Sequence, residues 1–157
     1  MNVSKIMSQN VQSCRPGDNL ETAAGIMWNH DLGCLPVLNA AHEIVGMITD
    51  RDICMACYTQ GLPPRNIRVS AAMSQAVFSC RPDETVNDVA EKLSSHQVRR
   101  LPVLESDGKM VGIVSLHDLA REAEREIGLK KQEISVADVV NTLALICQPR
   151  EVPVMSH

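Results

Sequence analysis

Residues 46–52 read Gly46-Met47-Ile48-Thr49-Asp50-Arg51-Asp52, and residues 112–118 repeat the pattern as Gly112-Ile113-Val114-Ser115-Leu116-His117-Asp118. Each stretch has a glycine, two apolar residues, a hydroxyl residue, two variable positions and an aspartate. The pattern predicts a buried strand that places a hydroxyl and then a carboxylate at the start of a helix. Such a helix start suits a phosphate, and the carboxylate can accept hydrogen bonds from a ribose diol. The alternative is structural, because the same residues are common helix caps.

The two stretches belong to a longer repeat with an offset of 66 residues. In an ungapped alignment that begins at Val3, 19 of 51 positions are identical. Both copies contain Ser-Cys-Arg-Pro, at residues 13–16 and 79–82, and Leu-Pro-Val-Leu, at residues 35–38 and 101–104. An ungapped match of this length indicates two copies of one supersecondary unit, and it favours a function for the shared motif.

Each copy is predicted to form a strand, a helix, two short strands and a second helix. The first helix of copy 1 begins near Asp18 or Asn19 and places Met27 and Trp28 on its apolar side. The first helix of copy 2 begins at a capping box formed by Thr85 and Asp88. The other predicted elements are opening strands at 11–14 and 77–80, strands at 35–38, 44–48, 101–104 and 110–114, and second helices at 52–60 and 118–127.

The predicted domain organisation has copy 1 at residues 1–62, copy 2 at residues 66–127 and a tail at residues 128–157. One copy cannot bury both faces of its small sheet, so we predict an α+β, sandwich-like fold. In it the two copies pack sheet to sheet with pseudo-twofold symmetry. The tail adds a helix that starts at Ser135, with Val139, Leu143 and Ile146 on one face. This helix either caps the pair or contacts a partner.

Composition excludes several classes of function. The net charge of −4 and the 2% content of aromatic residues argue against a nucleic-acid binder, which needs clustered cations and stacking surfaces. No apolar run is long enough to span a bilayer, and the start of the chain lacks a signal peptide. Six cysteines without a secretory context favour free thiols and a cytoplasmic location.

Three other sets of residues have mainly structural interpretations. Cys54 and Cys57 form a C-x-x-C inside a predicted helix, where a packed thiol face is favoured over redox or metal chemistry. Cys14 and Cys80 occupy equivalent positions and are expected to be buried. Gly46 is isolated within a strand, which indicates a close approach of another backbone.

The ordered motifs, M-S, S-x-x-P, L-P-V and G-h-h-[TS]-x-x-D, resemble those of the CBS domain, named after cystathionine β-synthase. The resemblance covers roughly residues 3–125, and two tandem copies form a Bateman module. It implies a β-α-β-β-α unit, a sheet-packed pair and commonly a homodimer. It also implies an adenosyl ligand in the clefts between repeats: AMP, ADP, ATP, S-adenosylmethionine or an NAD-type molecule.

The family pattern implies two unequal nucleotide sites. The first would use Thr49, Arg51 and Asp52 with residues 77–80, including Phe78, and with Arg99 and Arg100. The second would use Ser115, His117 and Asp118 with residues 11–14 and 33–34. Since guanidinium groups suit phosphate oxygens, the first is expected to be the better phosphate site. Alternatively, the two adjacent arginines are a solvated pair, and Phe78 is a core residue. His42 departs from the family, which often has glycine at that position.

The expected function is therefore a stand-alone, non-catalytic regulatory module that signals energy or metabolite state to an unknown protein. No catalytic or metal-binding residue is predicted. The alternatives are a ligand-free structural or partner-binding protein and, less favoured, a thiol- or metal-dependent protein.

Overall fold

The structure is a computed structural model, and it describes residues 1–150. Within this range the secondary structure follows the repeat closely. The helices are α1 Leu20–Asn29, α2 Asp50–Gln60, α3 Val86–Ser95, α4 Leu116–Arg125 and α5 Val136–Ile146. The strands are β1 Cys34–Leu38, β2 Ile44–Thr49, β3 Arg100–Leu104 and β4 Met110–Ser115. Short 3₁₀ turns cover Val3–Lys5, Pro64–Asn66 and Val69–Ala71.

The chain forms two compact units whose limits differ from those of the repeats. Unit A comprises residues 8–79 and 102–112, and unit B comprises residues 1–7, 80–101 and, within the described chain, the residues from 113 to 150. Unit A therefore holds α1, β1, β2 and α2, together with most of the β3–β4 hairpin. Unit B holds α3, α4 and α5.

The opening strand of copy 1 is shorter than predicted. Instead of a strand over residues 11–14, only Cys14 pairs, in a single parallel bridge with Val37. The Cys14 N–H donates to the Pro36 carbonyl at 3.1 Å, and the Leu38 N–H donates to the Cys14 carbonyl at 2.9 Å. The next donor of a parallel ladder would be residue 16, which is a proline without an N–H, so the ladder ends after one step.

Strands β1 and β2 form an antiparallel hairpin in which Val37 lies opposite Gly46. A β-carbon on Gly46 would lie 2.7 Å from the Met73 sulfur and 2.9 Å from the Ser74 carbonyl oxygen. The close backbone approach predicted at this glycine is thus confirmed. The neighbouring residue, Met47, exchanges two backbone hydrogen bonds with Ser74, of 2.8 and 3.0 Å.

The turn of this hairpin, between β1 and β2, is held by Asn39. Its side-chain oxygen accepts hydrogen bonds from the N–H groups of Ala41 and Glu43, both at 2.9 Å. His42 takes a positive φ of 60°, in the left-handed region that glycine adopts most readily. The turn therefore forms with a histidine at this position, although a positive φ is less favourable for histidine than for glycine.

Each repeat begins with a segment that docks onto the other repeat. In unit B the Val3 N–H donates to the Glu84 carbonyl at 2.9 Å, just before α3. In unit A the Val69 N–H donates to the Asp18 carbonyl at 2.8 Å, just before α1. Both pairs obey the 66-residue offset, so the exchange is symmetric. It explains why the compact units and the sequence repeats have different limits.

The apolar sides of two helices are only partly buried. Trp28, placed with Met27 on the apolar side of α1, is 87% exposed, whereas Met27 is buried. In α5, of the residues placed on one face, Ile146 is buried and Leu143 is exposed, and Thr142 is buried as well. Adjacent residues of a helix point about 100° apart. Helical spacing alone therefore does not decide which of the two meets the core.

Candidate functional site

Thr49 and Asp52 meet at the start of α2, as their spacing predicts. The Thr49 hydroxyl accepts a hydrogen bond from the Asp52 N–H at 3.1 Å. One carboxylate oxygen of Asp52, Oδ2, accepts from the Thr49 N–H at 2.9 Å. Helix α2 consequently begins at Asp50, two residues before the predicted start, because Thr49 is the N-cap. The other carboxylate oxygen, Oδ1, makes no hydrogen bond within the described chain, so it can still accept one from a ligand.

Ser115 and Asp118 meet in the same way at the start of α4. The Ser115 N–H donates to Asp118 Oδ2 at 2.8 Å, and the Ser115 hydroxyl donates to the same oxygen at 2.7 Å. Helix α4 begins at Leu116, again two residues earlier than predicted. Both aspartates are half-buried, so each keeps one face toward solvent.

The structural interpretation of the hydroxyl–aspartate pair, as a helix cap, is confirmed at both helices. Helices α3 and α5 start with equivalent capping boxes, at Thr85–Asp88 and Ser135–Asp138. Hydrogen bonds from Thr85 lower the pKa of Asp88, and those from Ser135 lower the pKa of Asp138. These two aspartates are exposed and follow loops, whereas Asp52 and Asp118 follow strands directly. What distinguishes the candidate site is therefore the strand before the cap, not the cap itself.

The basic residues predicted to bind phosphate fall in both units. Arg51 is exposed in the first turn of α2, in unit A. In unit B the Arg99 carbonyl accepts the Leu116 N–H at 2.9 Å, so its backbone adjoins the start of α4. Arg99 is exposed, Arg100 is half-buried at the start of β3, and His117 is exposed. The predicted meeting of Arg99 and Arg100 with Thr49 stays a prediction.

Phe78, the other residue assigned to the first site, is not a core side chain. It is 38% exposed. Of the two interpretations left open by the sequence, the buried one is therefore wrong, and a role as a wall for an adenine ring stays a prediction.

The cysteines divide into buried and exposed groups. Cys14 and Cys80 are buried, as predicted, and burial raises the pKa of their thiols to about 11 and about 12. The charges of Asp18 and Glu84 contribute in the same direction. Cys54 is exposed on α2, and none of the six cysteines is in a disulfide. Within residues 1–150, no group of three or more His, Cys, Asp or Glu side chains is arranged to hold a metal ion.

Sequence reasoning missed a groove between α1 and α2. This cavity of about 520 Å³ is lined mainly by apolar groups, with two carboxylates at its edge. Its lining residues are Ala24, Met27, Trp28, Asp31, Leu32, Asp50, Ile53 and Cys54. The sequence did contain a sign of this groove, because the apolar residues of α1 span a wider arc of the helix than the part that is buried. Among the described helices, none is long and apolar enough to cross a membrane.

Comparison with known proteins identifies the repeat. The family model described as CBS domain matches twice, over residues 3–58 and 69–125. A CBS domain-containing protein of Bacillus subtilis, YhcV, is 35% identical over 118 residues, covering 75% of this chain and 82% of that protein.

Two solved structures are similar over most of the chain. A CBS domain protein of unknown function from Thermoplasma acidophilum, TA0289, has a TM-score of 0.77 and 27% identity, covering 92% of this chain and 75% of its own. The CBS domain pair of protein MJ0100 has a TM-score of 0.70 and 27% identity, covering 77% and 98%. That structure contains 5′-methylthioadenosine and S-adenosyl-L-methionine. The predicted α+β class with two CBS repeats is confirmed.

Proposed function

Because this chain belongs to the CBS domain family, we propose that it is a non-catalytic regulatory module that binds an adenosyl ligand at the starts of α2 and α4. The observation that carries the proposal is the half-buried carboxylate of Asp52, with its counterpart Asp118. In each, one oxygen is used to cap the helix and the other is left for a ligand.

The sugar of the ligand is the part that these carboxylates suit. A ribose diol carries two O–H donors, and an ionised carboxylate is an acceptor only. Because Oδ2 of Asp52 accepts a hydrogen bond from the Thr49 N–H, the side chain is held in one rotamer. Oδ1 therefore has a fixed position before a ligand binds. Hydrogen bonds to a charged group contribute about 1.5–3 kcal/mol each, which is enough to select a nucleoside over a free base.

The phosphate end is assigned to the helix starts and the arginines. Unpaired N–H groups at a helix start carry partial positive charge, and Arg51, Arg99 and Arg100 add full charges to the two repeats. The proposed ligands are therefore AMP, ADP or ATP, with S-adenosylmethionine and NAD-type molecules as further candidates. The MJ0100 structure, with its two adenosyl ligands, supports the adenosyl class.

A thermal-shift screen tests the proposal, followed by calorimetry on any compound that raises the melting temperature. The screen uses AMP, ADP, ATP, S-adenosylmethionine, 5′-methylthioadenosine and NAD, with guanosine and cytidine nucleotides as controls. A ligand at 100 times its Kd stabilises the folded state by about 2.7 kcal/mol, a shift that is easily measured. If no adenosyl compound produces a shift or heat of binding, the proposal fails.

We further propose that the module acts as a homodimer in the cytoplasm, on a regulated protein yet to be identified. Six cysteines that form no disulfide support a reducing compartment. The alternative, a ligand-free module that binds a partner protein, is favoured by the exposed apolar residues of α5. It predicts that the full chain recovers a partner from a lysate and that removal of residues 135–157 abolishes recovery.

A further inference from the structure

Helix α5 is held on unit B by few buried side chains. Of its eleven residues, Thr142 and Ile146 are buried. Its large apolar residues on other sides are 43–57% exposed, namely Val136, Val140, Leu143 and Leu145. A helix of this length is marginal in water by itself, because tertiary packing must offset the cost of starting it. Helix α5 is therefore an element of low local stability, and it loses its helical structure when it leaves α3 and α4.

The end of α5 is attached to the turn after α3 by polar contacts of Gln97. The Gln97 side-chain amide donates to the Gln148 carbonyl at 2.9 Å and to the Leu145 carbonyl at 3.4 Å. In return, the Arg150 guanidinium donates to the Gln97 carbonyl at 2.8 Å. We call these three hydrogen bonds the clamp. They border a polar surface cavity of about 490 Å³, where water competes for the same donors and acceptors.

The backbone at Gln97 indicates that the clamp compensates for strain. Gln97 has a positive φ of 50°, in the left-handed region that glutamine rarely adopts. Its counterpart in copy 1, Asp31, has a φ of 53°, but aspartate is one of the residues enriched in that region. The turn is thus common to both copies, and the residue less suited to it is the one whose amide reaches α5. Contacts with α5 offset this cost, since strained residues persist where surrounding contacts hold them.

The clamp lies two residues from the predicted ligand site at the start of α4. The Arg99 carbonyl accepts the Leu116 N–H at 2.9 Å, and Leu116 is the first residue of α4 after its cap, Ser115. The other end of α4 also holds α5, because the Glu126 carboxylate accepts two N–H groups of the loop that leads into α5. Helix α4 therefore carries the predicted site at its first turn and is connected to α5 at both ends. All of these contacts lie within unit B.

We propose that α5 is a releasable helix, and that its docked position is the one in which the site at Ser115 and Asp118 is ready for an adenosyl ligand. This inference rests on the proposed function, because it concerns the same site. In the docked form the segment 97–99 is fixed, so the Arg99 carbonyl holds the start of α4 and Asp118 keeps its capped orientation. Release of α5 frees the segment and weakens the site. By linkage, a ligand that binds the docked form favours docking by the same factor.

Hydrogen exchange of the ligand-free chain tests the release. We expect the α5 amides to exchange at least about tenfold faster than those of residues 90–93 in the buried part of α3. Gln97→Glu keeps the length of the side chain but removes its N–H donors, so it should raise α5 exchange by at least about tenfold more. Gln148→Ala is the matched control, because Gln148 joins the clamp through its backbone carbonyl. Equal exchange in α3 and α5, or α5 exchange unaffected by Gln97→Glu, would overturn the proposal.

The coupling between α5 and the start of α4 is tested first without a ligand. Asp118→Ala removes the cap of α4 and should speed exchange in α5 while residues 90–93 stay protected. Asp52→Ala removes the equivalent cap of α2, in unit A, and should leave α5 exchange unchanged. Circular dichroism establishes that each variant is folded. Equal α5 exchange in the two variants would refute the coupling, whether or not any adenosyl compound binds.

The second test adds ATP and 5′-methylthioadenosine to the wild type and to Gln97→Glu. A compound that binds the wild type in calorimetry should slow its α5 exchange and should bind Gln97→Glu more weakly. Binding that leaves α5 exchange unchanged and is equal in both proteins would refute the coupling alone. If neither these compounds nor the others of the screen bind, the proposed function fails and the ligand role of the docked form fails with it. The exchange data then still decide whether α5 is released.

Discussion

The backbone N–H of Thr49 donates to the carboxylate of Asp52 at 2.9 Å, and this one hydrogen bond links the stability of α2 to the proposed ligand site. Asp52 is both a cap and a candidate sugar ligand. Thr85 and Asp88 form the same pair at α3, outside the proposed site, at 2.8 Å. The two roles can therefore be separated by comparing equivalent substitutions at the two helices.

Asp52→Ala is expected to lose both stability and ligand binding, whereas Asp88→Ala loses stability alone. Each substitution removes a capping interaction of about 0.5–2 kcal/mol, measured by urea denaturation. Only Asp52→Ala should weaken the ligand found in the screen, by about 1.5–3 kcal/mol in calorimetry. Equal affinities in the two variants would show that Asp52 is a cap and nothing more.

Arg99→Ala and Arg100→Ala should discriminate between ligands. The loss of a guanidinium weakens charge-assisted bonds to phosphate, so the affinity for ATP or AMP should fall. The affinity for 5′-methylthioadenosine, which has no phosphate, should change little. Arg121→Ala, an exposed arginine of α4, is the matched control. If both classes of ligand weaken equally, the arginines act through the fold and not on the phosphate.

Gly46→Ala should destabilise the protein by about 1–3 kcal/mol, the usual cost of overpacking. The new β-carbon would lie 2.9 Å from the Ser74 carbonyl oxygen, which is backbone and cannot swing away. Gly25→Ala makes the opposite prediction, because that residue is inside α1 with nothing within 4 Å of the added atom. There the change should stabilise by about 0.5–1 kcal/mol. Chemical denaturation of both variants measures the difference, and a neutral Gly46→Ala would contradict the packing described above.

The buried thiols predict a loss of stability at alkaline pH. Burial raises the pKa of Cys14 from its ordinary value of 9.0 to about 11, and that of Cys80 to about 12. The folded state then holds these protons more tightly than the unfolded state does. Their contribution is complete below pH 9 and is lost as the pH rises from there toward 11–12.

The measurement is a series of urea denaturations from pH 7 upward. The Cys14→Ala, Cys80→Ala double variant is the control, and its free energy of unfolding should fall less steeply above pH 9. At neutral pH the same two thiols should react with iodoacetamide more slowly than the exposed Cys54 and Cys147. Parallel pH profiles for the two proteins would refute the assignment.

Glu126 anchors the loop that leads to α5. Its buried carboxylate accepts the N–H groups of Glu133 and Ile134, at 2.6 and 3.1 Å. Glu126→Ala should lower the free energy of unfolding by about 1.5–3 kcal/mol and increase hydrogen exchange at both amides. Glu124→Ala, an exposed neighbour on α4, should leave both unchanged. Unaltered exchange in Glu126→Ala would show that α5 is held in place by its apolar contacts alone.

Much of the fold was readable from local chemistry. Four hydroxyl–aspartate pairs and Asn19 set the starts of the five helices, since caps act within one turn of chain. The opening strand was overestimated because Pro16 removes the donor that the ladder requires, so the pairing stops at Cys14. Within the candidate site, only the meetings of Thr49 with Asp52 and of Ser115 with Asp118 followed from the sequence, because each pair is three residues apart at a helix start. Their role in binding a ligand stays a prediction.

The sequence by itself determined the two repeats, their family and the local geometry of each helix start, because these depend on residues close together in the chain. Only the tertiary structure decided that the segments around Val3 and Val69 exchange between repeats, and that α5 packs against α3 and α4. Those outcomes depend on which surfaces meet between segments that are distant in the chain, and a free energy of packing has no local signature in the chain. Trp28 illustrates the limit: its spacing is that of a core residue, and only the fold places it in solvent.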